Sequence, residues 1–292
     1  VTILVTGSTG VIGTQVLDHL KDSGAQIRAL TRNPERANLP AGVTPVKGDL
    51  NEIGTLREAM KAIDTLFLLA PNAADELTQA LQAMSIAREA GVKGIVYLSV
   101  FQGDAYTDVP HFTSKHTVER MIEHCDLPAT ILRPAYFMQN DIRLKDALMQ
   151  HGVYGMPIGA KGISMVDTRD IGDAAARELL RRERSDASLP REAYELVGPD
   201  ALTADSITAI WRDALQREIR YGGDDLDALE ARMKSAGPEW LAYDMRLMMQ
   251  RYQQDGAVAS AEELRRLSTL LGRPPRSYRD FAADAAREWK HQ

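Results

Sequence analysis

An α/β fold built on a doubly wound parallel sheet, with a smaller and mainly helical C-terminal lobe, is what this sequence of 292 residues predicts. Three observations carry that expectation. The apolar run VTILVT passes at once into the glycine turn GSTGVIG and then into an amphipathic stretch beginning TQVL. Short apolar runs then alternate with helical periodicity to about residue 150, the pattern of parallel strands with crossover helices on both faces. Beyond residue 224 only helical periodicity remains.

The first strand is expected near 2–6 and the first helix near 11–22. Between them, Gly7 permits a tight turn, Gly10 lets backbone approach a pyrophosphate, and Gly13 lets the helix start close to the strand. Free N–H groups at the helix start then face the anion. The second strand, near 26–30, ends without the acid that would hold the ribose hydroxyls of NAD. Arg32 stands there instead, and a guanidinium at that point suits the 2′-phosphate of NADP. NADP(H) is therefore the expected cofactor, with NAD(H) as the alternative. After a third strand near 43–47, Asp49 could accept from an adenine amino group and Leu50 pack on its ring, although an aspartate there is also an ordinary turn residue. A helix near 52–62 and a strand near 64–69 follow. Leu69, Ala70 and Pro71 end that strand with little bulk beside the expected pyrophosphate and ribose. A helix near 75–90 leads to a strand near 93–98, after which Ser99 lies near the expected nicotinamide.

The next helix, near 113–124, carries the main departure from type. Short-chain reductases place Tyr-x-x-x-Lys here, where i,i+4 spacing puts both side chains on one face. No tyrosine of this chain has a lysine four residues later; the sequence reads His111-Phe-Thr-Ser-Lys115. A sixth strand near 129–133 and a helix near 137–150 complete the first domain. After Gly152, apolar pieces at 153–156, 163–166, 194–197 and 218–221 alternate with helices. The last helices are expected at 224–235, 239–254, 260–271 and 277–289, with Gly272-Arg-Pro-Pro separating the final two. The domains are thus 1–150, rejoined by 163–182, and a substrate lobe of 151–162 and 183–292.

Composition narrows the partners. Net charge is −6 and hydrophobic residues make up 44%, ordinary for a chain with a substantial core. The densest basic stretch, 177–184, is interleaved with Glu178 and Glu183 and reads as a solvated helix face, so no nucleic-acid partner is expected. The single cysteine, Cys125, excludes an internal disulfide framework. No apolar run of about 18 residues suggests a membrane span. Because the sequence opens on a core strand, no signal peptide and a cytoplasmic setting are expected. His19, His116, His124, His151 and His291 lack metal-ligand spacing, so no metal site is expected. Met245, Met248 and Met249, with Leu241 and Tyr252, form a helical stripe suited to the core, to a homodimer face or to the floor of a pocket for flat ligands.

TGSTGVIG, LTRNP, HFTSKHTVE, ILRPAYFMQN and DTRDIGDAA, in this order, resemble the NmrA-like family of atypical short-chain dehydrogenase/reductases. The resemblance covers about residues 1–221 and is looser over the C-terminal helices. It implies an NADP-binding Rossmann core in a family of quinone reductases, triphenylmethane dye reductases and redox-sensing regulators. Carried over by position, Gly7, Thr9, Gly10, Val11, Ile12 and Gly13 form the phosphate loop and Arg32 meets the 2′-phosphate. Lys115 holds the nicotinamide ribose, and Pro134, Tyr136 and Phe137 flank the nicotinamide and the substrate. His111, Lys115 and Tyr136 are the candidate catalytic groups. A histidine in place of the tyrosine is normal for this family.

That departure bears on the chemistry. Reducing a ketone generates an alkoxide of basicity near that of hydroxide, about 15.7, and needs a well-placed acid. Reducing a quinone generates a phenolate-like oxygen with a pKa of about 10, which water can protonate. The expected activity is hydride transfer from NADPH to a quinone or similar flat, electron-poor small molecule. The alternatives are a reductase or isomerase of a natural-product intermediate and a non-catalytic NADP-sensing regulator.

Overall fold

The computed structural model describes residues 2–290. In chain order the first elements are β1 (Thr2–Val5), α1 (Val11–Leu20), β2 (Gln26–Thr31), β3 (Val43–Lys47), α2 (Ile53–Ala59), β4 (Thr65–Leu68) and α3 (Glu76–Glu89). Then come β5 (Gly94–Leu98), α4 (Pro110–His124), β6 (Ala129–Pro134), α5 (Lys145–His151) and β7 (Val153–Tyr154). The chain continues through α6 (Thr168–Glu183), β8 (Glu192–Leu196), α7 (Ala204–Leu215) and β9 (Arg220–Tyr221), and ends with α8 (Leu226–Ala236), α9 (Glu239–Gln254), α10 (Ala261–Leu271) and α11 (Tyr278–Lys290).

Seven strands form one sheet in the order β3-β2-β1-β4-β5-β6-β8. The pairs from β3 through to β6 are all parallel, with Ile3 opposite both Ile27 and Thr65. Strands β1, β4 and β5 are buried at every position, as central strands covered on both faces must be. The order reverses between β1 and β4, the switch point at which doubly wound sheets bind ligands.

The chain divides into two compact units. The first comprises residues up to Gly103, His111–Arg133 and Thr168–Glu195. Its core packs Leu4, Leu66, Leu68, Ile95 and Ile131 of the sheet against Met60, Met84, Ala87 and Ile122. The second comprises Asp104–Pro110, Pro134–Asp167 and Leu196 onward. Within it β7 pairs with β9, and Trp211 of α7 stacks on Trp289 of α11 with centroids 5.1 Å apart. Reciprocal capping boxes, Thr203 with Ser206 and Ser260 with Glu263, start α7 and α10. Gly272, at φ 69°, stops α10 in a left-handed C-cap, where the Gly-Arg-Pro-Pro signal predicted a break.

Three expectations need correction. The helix expected over 137–150 is a 3₁₀ segment, Met138–Leu144, followed by α5. Its backbone is diverted because the Met138 N–H donates to the Val166 carbonyl at 2.9 Å and Asp141 is drawn fully inside. Helix α4 begins at Pro110 rather than 113; proline is at home in a first turn, where its missing N–H costs nothing. The basic stretch 177–184 is not a solvated face throughout. Glu178 and Arg182, one turn apart on α6, are 1% and 4% exposed. The Thr130 hydroxyl donates to Glu178 at 2.6 Å and accepts from Arg182 Nε at 2.7 Å. Burial, then the neighbouring Arg181, lowers the Arg182 pKa to about 10. No helix among the described residues is long and apolar enough to cross a membrane.

Candidate functional site

The loop after β1 is tied down on both sides. Thr6 Oγ1 donates to the carbonyl of Leu69 at 2.9 Å and accepts from the Leu69 N–H at 2.8 Å, fixing the loop to the end of β4. Ser8 Oγ donates to the Leu30 carbonyl at 2.7 Å, fixing it to β2. Neither role was foreseen from sequence; the only signal is that small hydroxyl residues flank Gly7. Gly7 sits at φ +61°, the left-handed region. A Cβ on Gly13 would lie 2.1 Å from the Gly7 carbonyl oxygen, so only glycine lets α1 start against the loop.

Gly10 caps α1 in an extended conformation, with no side-chain cap and no acid in the first turn. Gly7, Thr9, Gly10 and Val11 are exposed while Ile12 and Gly13 are buried. Val11 is 63% exposed, unusual for valine. The first amides of α1 thus lie at the positive end of a helix dipole without a protein acceptor among the described residues. An anionic group such as a pyrophosphate fits that surface.

The other predicted residues are placed as follows. Arg32 is exposed just past β2 and makes no ion pair among the described residues. Asp49 Oδ1 accepts from the Asn51 N–H at 2.9 Å, an Asx turn, and Leu50 lies in the core at 7% exposure. Ala70 is buried and Pro71 exposed. Ser99 is buried and donates its hydroxyl to Glu119. Arg133 Nη2 binds Glu119 at 2.6 Å and Nη1 binds Glu195 at 3.0 Å. Burial opposes the Arg133 charge, but the two carboxylates outweigh it and raise the guanidinium pKa above its usual value.

His111 occupies the first turn of α4, edge-on to Phe112 with centroids 4.7 Å apart. Lys115 follows one turn later on the same face. Its ammonium donates to Glu76, the first residue of α3. Glu76 was missed from sequence, where an acid opening a helix signals only dipole compensation.

Pro134, Tyr136 and Phe137 belong to the second unit. The Val166 N–H donates to the Tyr136 carbonyl at 2.9 Å. The Tyr136 ring meets Tyr252 edge-on at 6.2 Å, and Tyr252 meets Tyr106 edge-on at 6.3 Å. Burial, then the Asp141 charge, pushes the Tyr136 hydroxyl well above the usual phenol range, so it holds its proton at neutral pH. Met248 and Met249 are buried beside Tyr252 on α9, so those members of the methionine stripe are core. His291 lies outside the described residues.

The sequence profile of the NmrA-like family matches residues 1–262. The chain belongs to that family. The match runs past about residue 221, where the resemblance read from the motifs becomes looser, and into α10. Among similar proteins, an NAD(P)H azoreductase from Xenophilus azovorans is 29% identical over 96% of each chain. A (4-alkanoyl-5-oxo-2,5-dihydrofuran-3-yl)methyl phosphate reductase from Streptomyces griseus is 30% identical, over 97% of this chain and 98% of the other. A crystal structure of an NADPH-dependent quinone oxidoreductase from Escherichia coli, complexed with NADPH, superposes with a TM-score of 0.85 at 26% identity. It covers 97% of this chain and 99% of that one.

Proposed function

We propose that this member of the NmrA-like family is an NADPH-dependent oxidoreductase whose acceptor is a quinone or similar flat, electron-poor molecule. The observation that carries the reading is the exposed start of α1, without a side-chain cap and behind a loop anchored by Thr6 and Ser8, with Arg32, unpaired among the described residues, one strand away. The α1 amides hold the pyrophosphate and Arg32 the 2′-phosphate, with Asp49, Leu69, Ala70 and Pro71 along the adenosine side. Lys115 meets the nicotinamide ribose, and Ser99 fixes the strand end beneath it through Glu119. NADPH, when bound, supplies the hydride. Pro134, Tyr136 and Phe137 keep the role that the resemblance gives them beside the nicotinamide and the acceptor.

With histidine at position 111 the reading favours acceptors whose reduced oxygens are weak bases. The names of the azoreductase and quinone oxidoreductase relatives support it. A second reading, reduction of a natural-product intermediate, draws on the identity to the Streptomyces griseus reductase. The test is NADPH oxidation against panels of quinones, activated alkenes and ketones, with binding measured in parallel. Quinones should turn over fastest and ketones slowest. Preference for an alkene would move the assignment to the second reading. Tight NADPH binding with no oxidation by any acceptor would leave an NADP-sensing protein. Arg32→Ala should weaken NADPH while leaving NADH unchanged.

A further inference from the structure

Lys115 and Glu76 form an ion pair that is far more buried than a helix surface requires. Their side chains are 13% and 5% exposed. Glu76 stands on a pinned first turn: its N–H donates to the Ala73 carbonyl at 3.0 Å. The preceding Asp75 accepts from Asn51 at 2.9 Å and from Gln79 at 2.8 Å. Burial and then the charges of Glu76 and Glu119 push the Tyr97 hydroxyl well above its usual range. A buried carboxylate is therefore held at a fixed place beside the lysine of α4.

Stability does not account for the pair. Removing two charges from water costs about as much as their attraction returns, and apolar residues of similar size often serve as well. Compensation of the α3 dipole does not account for it either, because an exposed acid does that equally well. The geometry of the donors is more informative. An ammonium carries three N–H donors, and among the described residues Lys115 gives one of them to Glu76. That bond fixes the direction of the other two. The pair is also neutral overall, so the group it receives should be a neutral polyol rather than a phosphate. Arg32, exposed and without an ion pair among the described residues, has the opposite character and suits a phosphate.

We infer that Glu76 is a positioning residue: it orients the Lys115 ammonium so that its two remaining donors meet the vicinal hydroxyls of the nicotinamide ribose. This rests on the reading that Lys115 meets that ribose. The test measures calorimetric binding of NADPH and of adenosine 2′,5′-bisphosphate, which lacks the nicotinamide ribose. It compares the wild-type chain with Glu76→Gln, Lys115→Met and the double variant Glu76→Leu/Lys115→Met. The apolar double variant keeps the buried volume without a lone charge, and bisphosphate binding in the same sample reports an intact first unit.

Each single variant should weaken NADPH about tenfold or more, the scale of a charge-assisted hydrogen bond, and leave the bisphosphate unchanged. The double variant should be no worse than the weaker single one. If Lys115→Met weakens NADPH selectively but Glu76→Gln does not, the positioning role is overturned while the Lys115 assignment stands. If neither variant separates the two ligands, the Lys115 assignment falls and the inference with it. Equal weakening of both ligands by Glu76→Gln overturns the inference in favour of a structural tie between α3 and α4.

Discussion

Gly10 caps α1 and Gly13 lies three positions on in its first turn, yet different constraints hold them. A Cβ on Gly10 would meet only the Gly7 carbonyl, at 3.4 Å, whereas one on Gly13 would overlap it. Gly10→Val should therefore fold, losing about 1 kcal/mol at the cap, but lose NADPH binding. Gly13→Ala should lose about 1–3 kcal/mol or more through overpacking. Urea unfolding and calorimetry separate the two effects, and micromolar NADPH binding by Gly10→Val would remove the phosphate-loop assignment. His111→Phe should slow quinone reduction by less than about tenfold, since general acid catalysis typically supplies a hundredfold or more. The wild-type rate should be nearly flat across the range in which a histidine donor titrates. A thousandfold loss with NADPH binding intact would make His111 a proton donor and bring ketone reduction forward. The loop glycines were legible in the sequence because a backbone requirement shows itself as residue type. Glu76 and Glu119 were not. Their partners, Lys115 and Ser99, lie 39 and 20 positions away, and only the assembled sheet brings them together.

At the scale of elements, periodicity located helices and strands well where one face is buried and misread them where polar groups are buried too. The helix expected from about 113 in fact takes Pro110 into its first turn. The start matters because it sets His111 and Lys115 on one helical face. On α6 the alternation of arginines with glutamates looked like a solvated surface. A polar chain through Glu178, Thr130 and Arg182 runs inside instead, and a strand threonine gives no sign of that in sequence. Thr130→Val keeps the shape but leaves Glu178 without this donor and Arg182 without this acceptor. It should cost about 1–3 kcal/mol, the penalty for unsatisfied buried polar groups, read as a lower urea midpoint. An unchanged midpoint would mean that water or a neighbour replaces the hydroxyl.

For the molecule as a whole, a doubly wound parallel sheet follows from the alternation of apolar runs and the crossover rule, whereas the strand order and its reversal between β1 and β4 come from the assembled sheet. The buried polar centre of the second unit had no counterpart in the sequence pattern. Asp141, fully buried, accepts from Tyr154 at 3.0 Å and from Tyr278. Its other oxygen has no partner among the described residues. Burial, only partly offset by the two tyrosine hydrogen bonds, raises its pKa from the ordinary 3.8 to about 7. The native state then binds this proton more tightly than the unfolded chain. Its contribution to stability is complete below the unfolded value and is lost as pH rises toward the folded one. Between those limits the loss should be on the order of a few kcal/mol, and Asp141→Asn should remove it. Melting of both proteins at pH 5 and pH 8 isolates the effect as a difference of differences; identical pH slopes would exclude it. The same centre has an optical consequence. All three tryptophans, Trp211, Trp240 and Trp289, belong to the second unit, so indole emission follows that unit alone. Trp211 and Trp289 lie parallel within 4°, close enough to couple as an exciton pair in circular dichroism. That couplet joins α7 to the last helix, so its fading in denaturant, set against the loss of far-ultraviolet signal from the whole chain, shows whether the second unit melts together with the rest.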